Sequence, residues 1–171
     1  MALENNPLLF TINITSCGNV VAGTALLKDL ALLSECANYL IKTVDPEMHK
    51  KMEQLREKMI REAAHVQSIC SISPSLHTTL GIIINRISGR HRDAADGKGV
   101  WAVMFVLGNF RGGEAVFSME SGKEVTTRFQ SGDVILIKAR DVWHEIKRWE
   151  GDLRVTLVYY SKEAVWTEYK D

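Results

Sequence analysis

The sequence predicts an α+β fold, in which a helical layer packs on one face of a C-terminal β-sandwich, jelly roll or barrel. Two observations support this. Apolar residues recur at helical spacing between about residues 24 and 66, whereas short β-rich segments separated by Gly, Asp, Asn and Ser fill about residues 79 to 161. The sequence contains no repeat, low-complexity tract or interdomain linker, so we expect residues 1–171 to form a single domain.

The first half begins with an alternating segment and continues as two predicted helices. Apolar and polar side chains alternate over Leu9–Thr15, which indicates a strand with one buried face. The segment TALLKDLALLSECANYLIKTV carries leucines at helical spacing, and Thr24 is its expected N-cap. Asp45 followed by Pro46 is typical of a second helix start, and we expect this helix to run to about Val66.

The second half carries β-rich segments, which in chain order are GIIINRI, VWAVMFVL, EAVFSM, EVTTRF, DVILIKA, VWHEI and DLRVTLVYY. Many short strands with turn residues between them are typical of sandwiches, jelly rolls and barrels. Gly108–Gly113 (GNFRGG) has the composition of a phosphate-binding loop, but no lysine follows it and no helical pattern begins there. We therefore expect a hairpin turn at this position.

Composition restricts the function classes. Hydrophobic residues make up 46% of the chain and charged residues 25%, which is typical of an ordered globular protein and excludes a disordered one. Lys+Arg and Asp+Glu both number 21, so no long-range attraction to nucleic acid is expected, although a local basic patch stays open. The sequence has no run of about 18 apolar residues and therefore no predicted membrane span.

Cysteine usage and the N-terminal sequence indicate the compartment. The three cysteines are far apart and form no CxxC, so neither a zinc knuckle nor a disulfide framework is expected. The start, MALENNPLLF, lacks the basic region and long apolar region of a signal peptide. We expect an intracellular protein, nuclear or cytoplasmic.

His91 and Asp93, followed far downstream by His144, have the pattern of a 2-His-1-carboxylate triad, which holds non-haem Fe(II) and leaves positions open for substrate and dioxygen. In an extended chain, His91 and Asp93 point to the same side. A His-x-Asp motif alone arises by chance in about a quarter of such compositions, and a lone inward histidine is more often a hydrogen-bonded core residue. Glu62 and His65 have the ExxH spacing of di-iron bundles, but the second copy that such a site needs is absent from the sequence, so we interpret them as helix surface.

Arg154 shares a predicted strand face with Thr156 and Tyr160. A guanidinium that points into a barrel is costly unless it meets an anion, and a carboxylate is its natural bidentate partner. The far carboxylate of 2-oxoglutarate is such an anion, and Thr156 could add a hydroxyl. Arg86, which precedes His91 by five residues, is a second inward candidate. An edge-strand arginine at the surface is the alternative for Arg154.

These residues together resemble the Fe(II)/2-oxoglutarate-dependent dioxygenases, and within that superfamily the compact members of the TET/JBP group of nucleobase oxygenases. The matching stretches are NRISGRHRDAAD, GNFRGGEAVF, SGDVILIKARDVWHEI and GDLRVTLVYY, which lie between about residues 79 and 161. The resemblance implies a double-stranded β-helix core, that is, a jelly-roll or cupin-like core, with N-terminal helices packed on one face.

The resemblance also implies roles for single residues. The iron ligands would be His91, Asp93 and His144, and the arginines that contact 2-oxoglutarate would be Arg154 and Arg86. Asp96, in His-x-Asp-x-x-Asp, matches an acidic residue that can accept a hydrogen bond from a flipped base, and Arg92 is a second expected substrate contact. Relatives that oxidise 5-methylcytosine can carry a base-reading histidine after the last core strand, where this chain has SKEAVW.

The expected function is hydroxylation of a substrate C–H bond with Fe(II), 2-oxoglutarate and O2, with ascorbate as a candidate reductant. The expected substrate is the methyl group of 5-methylcytosine or thymine in nucleic acid, DNA rather than RNA. A phosphate-binding rim would consist of basic residues near the ligands, namely Arg86, Arg90, Arg92, Lys98, Lys138, Arg140, Lys147 and Arg148. Acidic residues interleaved with them favour the opposite interpretation, scattered surface charge. Hydroxylation of a protein side chain or small metabolite, and a non-catalytic jelly-roll binding module, are the alternatives.

Overall fold

The structure of the chain is a computed structural model that describes residues 8–13, 20–119 and 121–169. Its strands are β1 (Leu8–Asn13), β2 (Thr79–Ile84), β3 (Ala102–Gly112), β4 (Ala115–Ser118), β5 (Glu124–Thr127), β6 (Val134–Ile137), β7 (Trp143–Ile146) and β8 (Trp149–Tyr160). Its helices are α1 (Val20–Asp29), α2 (Ala31–Val44), α3 (Pro46–Glu62), α4 (Ala64–Cys70) and α5 (Glu163–Glu168). The β-rich segments expected from the sequence each contribute one strand, β2 to β8.

The strands form two antiparallel sheets. One has the order β1-β2-β8-β3-β6, and the other has the order β5-β4-β7. Buried side chains from both sheets contact one another, since Val106 of β3 lies in one apolar cluster with Ala115 of β4 and with Phe129, which follows β5. This arrangement is a jelly-roll, double-stranded β-helix core with helices added, as the sequence predicts. The first strand, expected over Leu9–Thr15, is observed as β1, and residues 14–19 lie outside the described part.

The helical layer covers one face of the five-stranded sheet, because alternate strand residues point toward it. The cluster that joins them contains Leu27, Ala37, Ile41 and Met52 from the helices and Leu80, Val103, Phe105, Leu157 and Tyr159 from the strands. The intervening strand residues point toward the second sheet and line the cavity described below. Among the described residues, no helix is both long and apolar enough to cross a membrane.

The first predicted helix is in fact two helices, α1 and α2, that meet at Leu30 (φ −90, ψ 7). The prediction of Thr24 as its N-cap is wrong, because α1 begins at Val20 and includes Thr24. The Leu30 N–H still donates to the Leu26 carbonyl, and the Ser34 N–H still donates to the Leu30 carbonyl. The junction contains no glycine or proline, so the sequence gives no sign of it. The bend lets Leu27 of α1 and Ile41 of α2 reach the same core.

The second predicted helix begins where expected and ends early. Asp45 is the N-cap of α3, and its carboxylate accepts the Met48 N–H at 3.0 Å. The helix ends at Glu62 rather than near Val66, because Ala63 is extended (φ −132, ψ 100) and α4 follows. This break turns α4 so that Val66 packs against α3 in a second apolar cluster.

The expected hairpin turn at Gly108–Gly113 is wrong. Gly108 to Gly112 belong to β3, and β3 and β4 lie in different sheets. Gly112 (φ 74) and Gly113 (φ 75) adopt left-handed backbone conformations that favour glycine. They turn the chain from the five-stranded sheet into the three-stranded sheet, and the segment is a crossover between them.

Candidate metal and anion site

The loop between β2 and β3 meets strand β7 at a pair of histidines. His91 and His144 form an isolated antiparallel bridge, in which the backbone N–H of each donates to the carbonyl of the other at 2.9 Å. Side chains of directly opposed residues lie on the same face, and the two imidazole rings are 4.3 Å apart. Asp93 lies two residues beyond His91 and points to the same side, as the His-x-Asp spacing predicts.

The three side chains present one donor atom each to a common point. The carboxylate of Asp93 lies 3.7 Å from Nε2 of His91 and 3.7 Å from Nε2 of His144, and one donor atom from each residue lies within 4.8 Å of the other two. Within the described ranges, these three residues form the group of His, Cys, Asp or Glu side chains whose donor atoms lie close enough together to hold one metal ion. Glu62 ends α3 and His65 follows the break at Ala63, so the ExxH pair does not lie on one continuous helix.

The backbone sets which nitrogen of each histidine can bind a metal. Nδ1 of His91 lies 2.7 Å from the Gly89 carbonyl, and Nδ1 of His144 lies 3.0 Å from the Val142 carbonyl. A carbonyl only accepts, so each Nδ1 carries the proton and donates it. Each Nε2 therefore keeps a free lone pair toward Asp93, which is the tautomer that a metal ligand requires.

The surroundings of His144 also favour the neutral imidazole. His144 is 7% exposed, and burial lowers its pKa, with the nearby His91 acting in the same direction. The hydrogen bond to Val142 and the charge of Asp93 oppose this shift. Two neutral imidazoles and one carboxylate fit a divalent transition metal, and Fe(II) in particular among the metals that use a facial set.

Arg154 on β8 is a buried cation with unused hydrogen-bond donors. It is 3% exposed, and its Nη1 donates to the Thr156 hydroxyl at 3.0 Å. Its Nε and Nη2 are buried without a hydrogen-bond partner among the described residues. Burial lowers the pKa of Arg154 to about 10, which leaves it charged at neutral pH. Unpaired guanidinium donors are costly to bury, so the site fits a carboxylate that would occupy both.

Two aromatic rings hold the Arg154 guanidinium, and the sequence did not indicate them. The guanidinium carbon lies 5.2 Å from the ring centre of Phe110 and 5.4 Å from that of Phe129. Gly113 adjoins it, because a Cβ there would lie 3.4 Å from Nε of Arg154. Phe110 and Phe129 come from distant segments, so only the fold brings them to Arg154.

Asn85 holds the backbone of Arg154 from the neighbouring strand, and it too was missed from the sequence. Its N–H donates to the Arg154 carbonyl at 2.8 Å, and its side-chain oxygen accepts the Arg154 N–H at 2.8 Å. It has a left-handed backbone (φ 54), which Asn tolerates better than most residues. The side-chain oxygen thus replaces the backbone carbonyl of a regular ladder pair, and the chain can leave β2 for the loop that carries His91.

A cavity of about 670 Å³ joins the histidines to Arg154. Its walls include all eight residues that the sequence predicts for the site, namely Arg86, His91, Arg92, Asp93, Asp96, His144, Arg154 and Thr156. Thr156 is buried on the same strand face as Arg154. Arg86 and Arg92 also line the cavity and are exposed, so they lie toward its solvent side.

Asp96 is a buried carboxyl on the cavity wall. It is 6% exposed, and its carboxyl oxygens accept no hydrogen bond from the described residues. Burial raises the pKa of Asp96 to about 7, the charge of Asp93 adds to the shift, and Lys162 and Arg140 oppose it. Near neutral pH the carboxyl can therefore donate or accept a hydrogen bond toward a cavity ligand.

Comparison with known proteins gives similarity at the level of solved structures. No family model matches the chain, and no curated protein matches its sequence. The structure of NgTET1 in complex with 5mC DNA aligns with a TM-score of 0.46 at 20% identity, over 56% of this chain and 38% of that one. A 2OG-Fe(II) oxygenase family oxidoreductase from Burkholderia pseudomallei aligns with a TM-score of 0.45 at 21% identity, over 61% of this chain and 55% of that one.

OsALKBH1 is a further similar structure, with a TM-score of 0.42 at 19% identity over 74% of this chain and 65% of that one. The aligned part of this chain thus spans 38% of the first solved chain and 55% of the second, which is less than two thirds of either.

Proposed function

We propose that this chain is an Fe(II)- and 2-oxoglutarate-dependent dioxygenase that hydroxylates a substrate C–H bond. The observation that carries the proposal is a single cavity that contains both a 2-His-1-carboxylate donor set and a buried arginine with unpaired donors. A metal site alone fits many proteins. The combination also provides for an anionic co-substrate, and this reaction class requires one.

His91, Asp93 and His144 would hold the iron. Their Nδ1 protons are fixed on backbone carbonyls, so both imidazoles point Nε2 toward the carboxylate without rearrangement. Iron with 2-oxoglutarate and O2 would supply the oxidation, in which one oxygen atom enters the substrate C–H bond and the other enters succinate as CO2 leaves. Three protein ligands on one face leave the other positions free for these partners.

Arg154 would bind the distal carboxylate of 2-oxoglutarate. Its free Nε and Nη2 donors suit a bidentate carboxylate, and the Thr156 hydroxyl next to Nη1 adds a further polar contact. Phe110 and Phe129 lie against the guanidinium of this buried arginine. Arg86 would act at the exposed side of the cavity as a second cation for the co-substrate.

The proposed substrate is the methyl group of 5-methylcytosine or thymine in nucleic acid, DNA rather than RNA. A base in a duplex would have to leave the stack to reach a cavity of about 670 Å³. Asp96 supports this choice, because a buried carboxyl that accepts no hydrogen bond from the described residues can bond to the edge of a base. Arg92 lies at the solvent side of the same cavity and suits a phosphate.

Succinate formation tests the proposal. With Fe(II), ascorbate and 2-oxoglutarate, we expect the wild-type protein to produce succinate and a methylated oligonucleotide to stimulate it. His91→Ala and Asp93→Ala should lower the rate more than about 100-fold, and Arg154→Ala should raise KM for 2-oxoglutarate about 10- to 100-fold, since charge-assisted hydrogen bonds are lost. Asp29→Ala, which removes an exposed carboxylate of α1, is the control.

The same assay separates the alternatives. Stimulation by a peptide or a small metabolite but not by the oligonucleotide would replace the proposed substrate and keep the chemistry. Absence of succinate under every condition, or equal succinate from Asp93→Ala and wild type, would overturn the dioxygenase proposal in favour of a binding module.

A further inference from the structure

The outer side of the histidine bridge carries a cluster of two arginines and a tryptophan. Because side chains alternate along extended backbone, Arg90, Arg92 and Trp143 leave the bridge on the face opposite the two imidazoles, and both arginines reach the exposed side of the cavity. The guanidinium carbon of Arg92 lies 4.7 Å from the Trp143 ring centre, and that of Arg90 lies 5.5 Å from it. All three side chains are exposed, and Trp143 is 37% exposed. We name Arg90, Arg92 and Trp143 the Arg–Trp–Arg cluster.

The two arginines of this cluster lack the acidic partners that three other basic residues near the site have. Arg140 pairs with Glu163 at 2.8 Å, and Lys147 pairs with Glu145. Lys138 lies 3.9 Å from Asp45. Within the described ranges, neither Arg90 nor Arg92 makes an ion pair or donates a side-chain hydrogen bond to protein. Of the eight basic residues expected in the rim, Lys138, Arg140 and Lys147 are thus paired with acidic residues. Within the same ranges, Arg90 and Arg92 are the members without an ion pair whose guanidiniums share one aromatic ring.

Bringing two like charges to one ring is unfavourable unless an anion compensates. Both guanidinium carbons lie within 5.5 Å of the same ring centre, so the two charges are close enough to repel one another across less than or about one Debye length, which is about 10 Å at 0.1 M salt. Exposed cation–π contacts contribute only about 0.5–1 kcal/mol each. The planar forks of two arginines offer donors that match phosphate oxygens. The arrangement therefore suits a bound phosphate.

We infer that the Arg–Trp–Arg cluster is a binding site for the sugar-phosphate backbone of a single nucleic-acid strand. Arg90 and Arg92 bind a phosphate next to the target nucleotide, and the exposed part of the Trp143 ring offers a surface on which a neighbouring base can stack. The inference rests on the proposed function, since it takes the strand to be the one whose base enters the cavity. Both arginines also line that cavity, so a strand held here runs past its opening.

Binding of a fluorescent single-stranded oligonucleotide that contains 5-methylcytosine tests the site in the full chain, by anisotropy at several salt concentrations. The probes for comparison are the free mononucleotide 5-methyldeoxycytidine monophosphate and poly-glutamate. Arg90→Gln with Arg92→Gln should weaken oligonucleotide binding about 10-fold and reduce the slope of log K against log salt by about 0.7, the value for one phosphate on a single strand. The control is the double variant Arg61→Gln with Lys28→Gln, whose residues lie in the last turns of α3 and α1. It removes the same two positive charges from the helices and should leave binding unchanged.

The tryptophan is tested separately. Trp143→Phe keeps an aromatic ring and should retain most of the affinity, whereas Trp143→Ala should lose about as much as the double arginine variant. Thermal unfolding of each variant shows whether it is folded, and Trp143→Phe keeps the test valid should Trp143→Ala fail to fold.

Three results would overturn the inference. The Arg61/Lys28 control could lose as much oligonucleotide affinity as the cluster variant. Poly-glutamate could bind as tightly as the oligonucleotide and depend equally on the cluster, or the cluster substitutions could weaken binding of the mononucleotide but not of the oligonucleotide. Its failure is distinguishable from failure of the proposed function. Cluster-dependent binding without succinate formation would support the binding site and contradict the dioxygenase proposal. Succinate formation with cluster-independent binding would do the reverse.

Discussion

Arg154 is held by contacts that no local pattern encodes. The alternation of β8 indicates that Arg154 points inward, and the His-x-Asp spacing indicates that His91 and Asp93 share a side; both follow from the period of two along an extended chain. Phe110, Phe129 and Asn85 were missed because they reach Arg154 only through strand pairing across the sheet or packing between segments. The asparagine at the end of a predicted strand is a weak signal of a left-handed residue, and it is the sequence signal by which Asn85 could have been found.

Asn85 provides a test of how strictly Arg154 must be placed. Asn85→Gly keeps the left-handed backbone available and deletes the oxygen that accepts the Arg154 N–H. We expect KM for 2-oxoglutarate to rise about 5- to 10-fold with a smaller change in kcat, because the anion-binding residue is displaced while the iron ligands are kept. Asn85→Asp retains the accepting oxygen and should restore most of the affinity. A fall in thermal stability in Asn85→Gly with an unchanged KM would show that Asn85 has a structural role alone.

At the scale of secondary-structure elements, the strands and the start of α3 could be predicted, and the other helix ends could not. Most strand segments are separated by Gly, Asp and Ser, which marks where each strand lies, although β3 continues to Gly112 through the segment that was expected to turn. The bends at Leu30 and Ala63 occur in residues that favour helix, and they are set by what the helices pack against. The sequence predicts a hairpin where the crossover at Gly112 and Gly113 occurs, because turn residues do not indicate which sheet the next strand joins.

The pairing of β3 with β8 makes a second prediction at this scale. Gly108 lies opposite Arg154 in the register, with a left-handed φ of 131, and a Cβ there would collide with the Leu153 carbonyl. Gly108→Ala should therefore lower the free energy of unfolding by about 2–4 kcal/mol and raise KM for 2-oxoglutarate, since β8 must move. Gly132→Ala is the matched control, because Gly132 also has a positive φ (94) but open space around it. Its cost should be about 1 kcal/mol with KM unchanged. Equal effects of the two substitutions would argue against close strand contact at Gly108.

For the whole molecule, the jelly roll brings together residues that the sequence separates. His91 and His144 meet through a bridge between a loop and a strand of the smaller sheet, while Arg154 lies on the larger sheet. The cavity between the sheets is therefore the feature that turns three separate signals into one candidate site. Strand faces predicted the inward orientation of the histidines and of Arg154, the family resemblance implied Asp96, and their convergence needed the topology. Under the proposed function, substrate choice would depend on the exposed arginines at the cavity opening, which net charge alone does not single out.

The central claim is that the iron ligands and Arg154 act as one site for metal and co-substrate, and an anaerobic titration of 2-oxoglutarate tests it most directly. Affinity would be measured by calorimetry with and without Fe(II), in the wild-type protein, Asp93→Ala and Arg154→Lys. We predict that Fe(II) tightens 2-oxoglutarate binding at least 10-fold in the wild type. Asp93→Ala should abolish this linkage, and Arg154→Lys should weaken binding in both conditions, because a lysine cannot replace the bidentate guanidinium. Binding of 2-oxoglutarate that is equally tight with and without Fe(II), or unchanged in Arg154→Lys, would contradict the account.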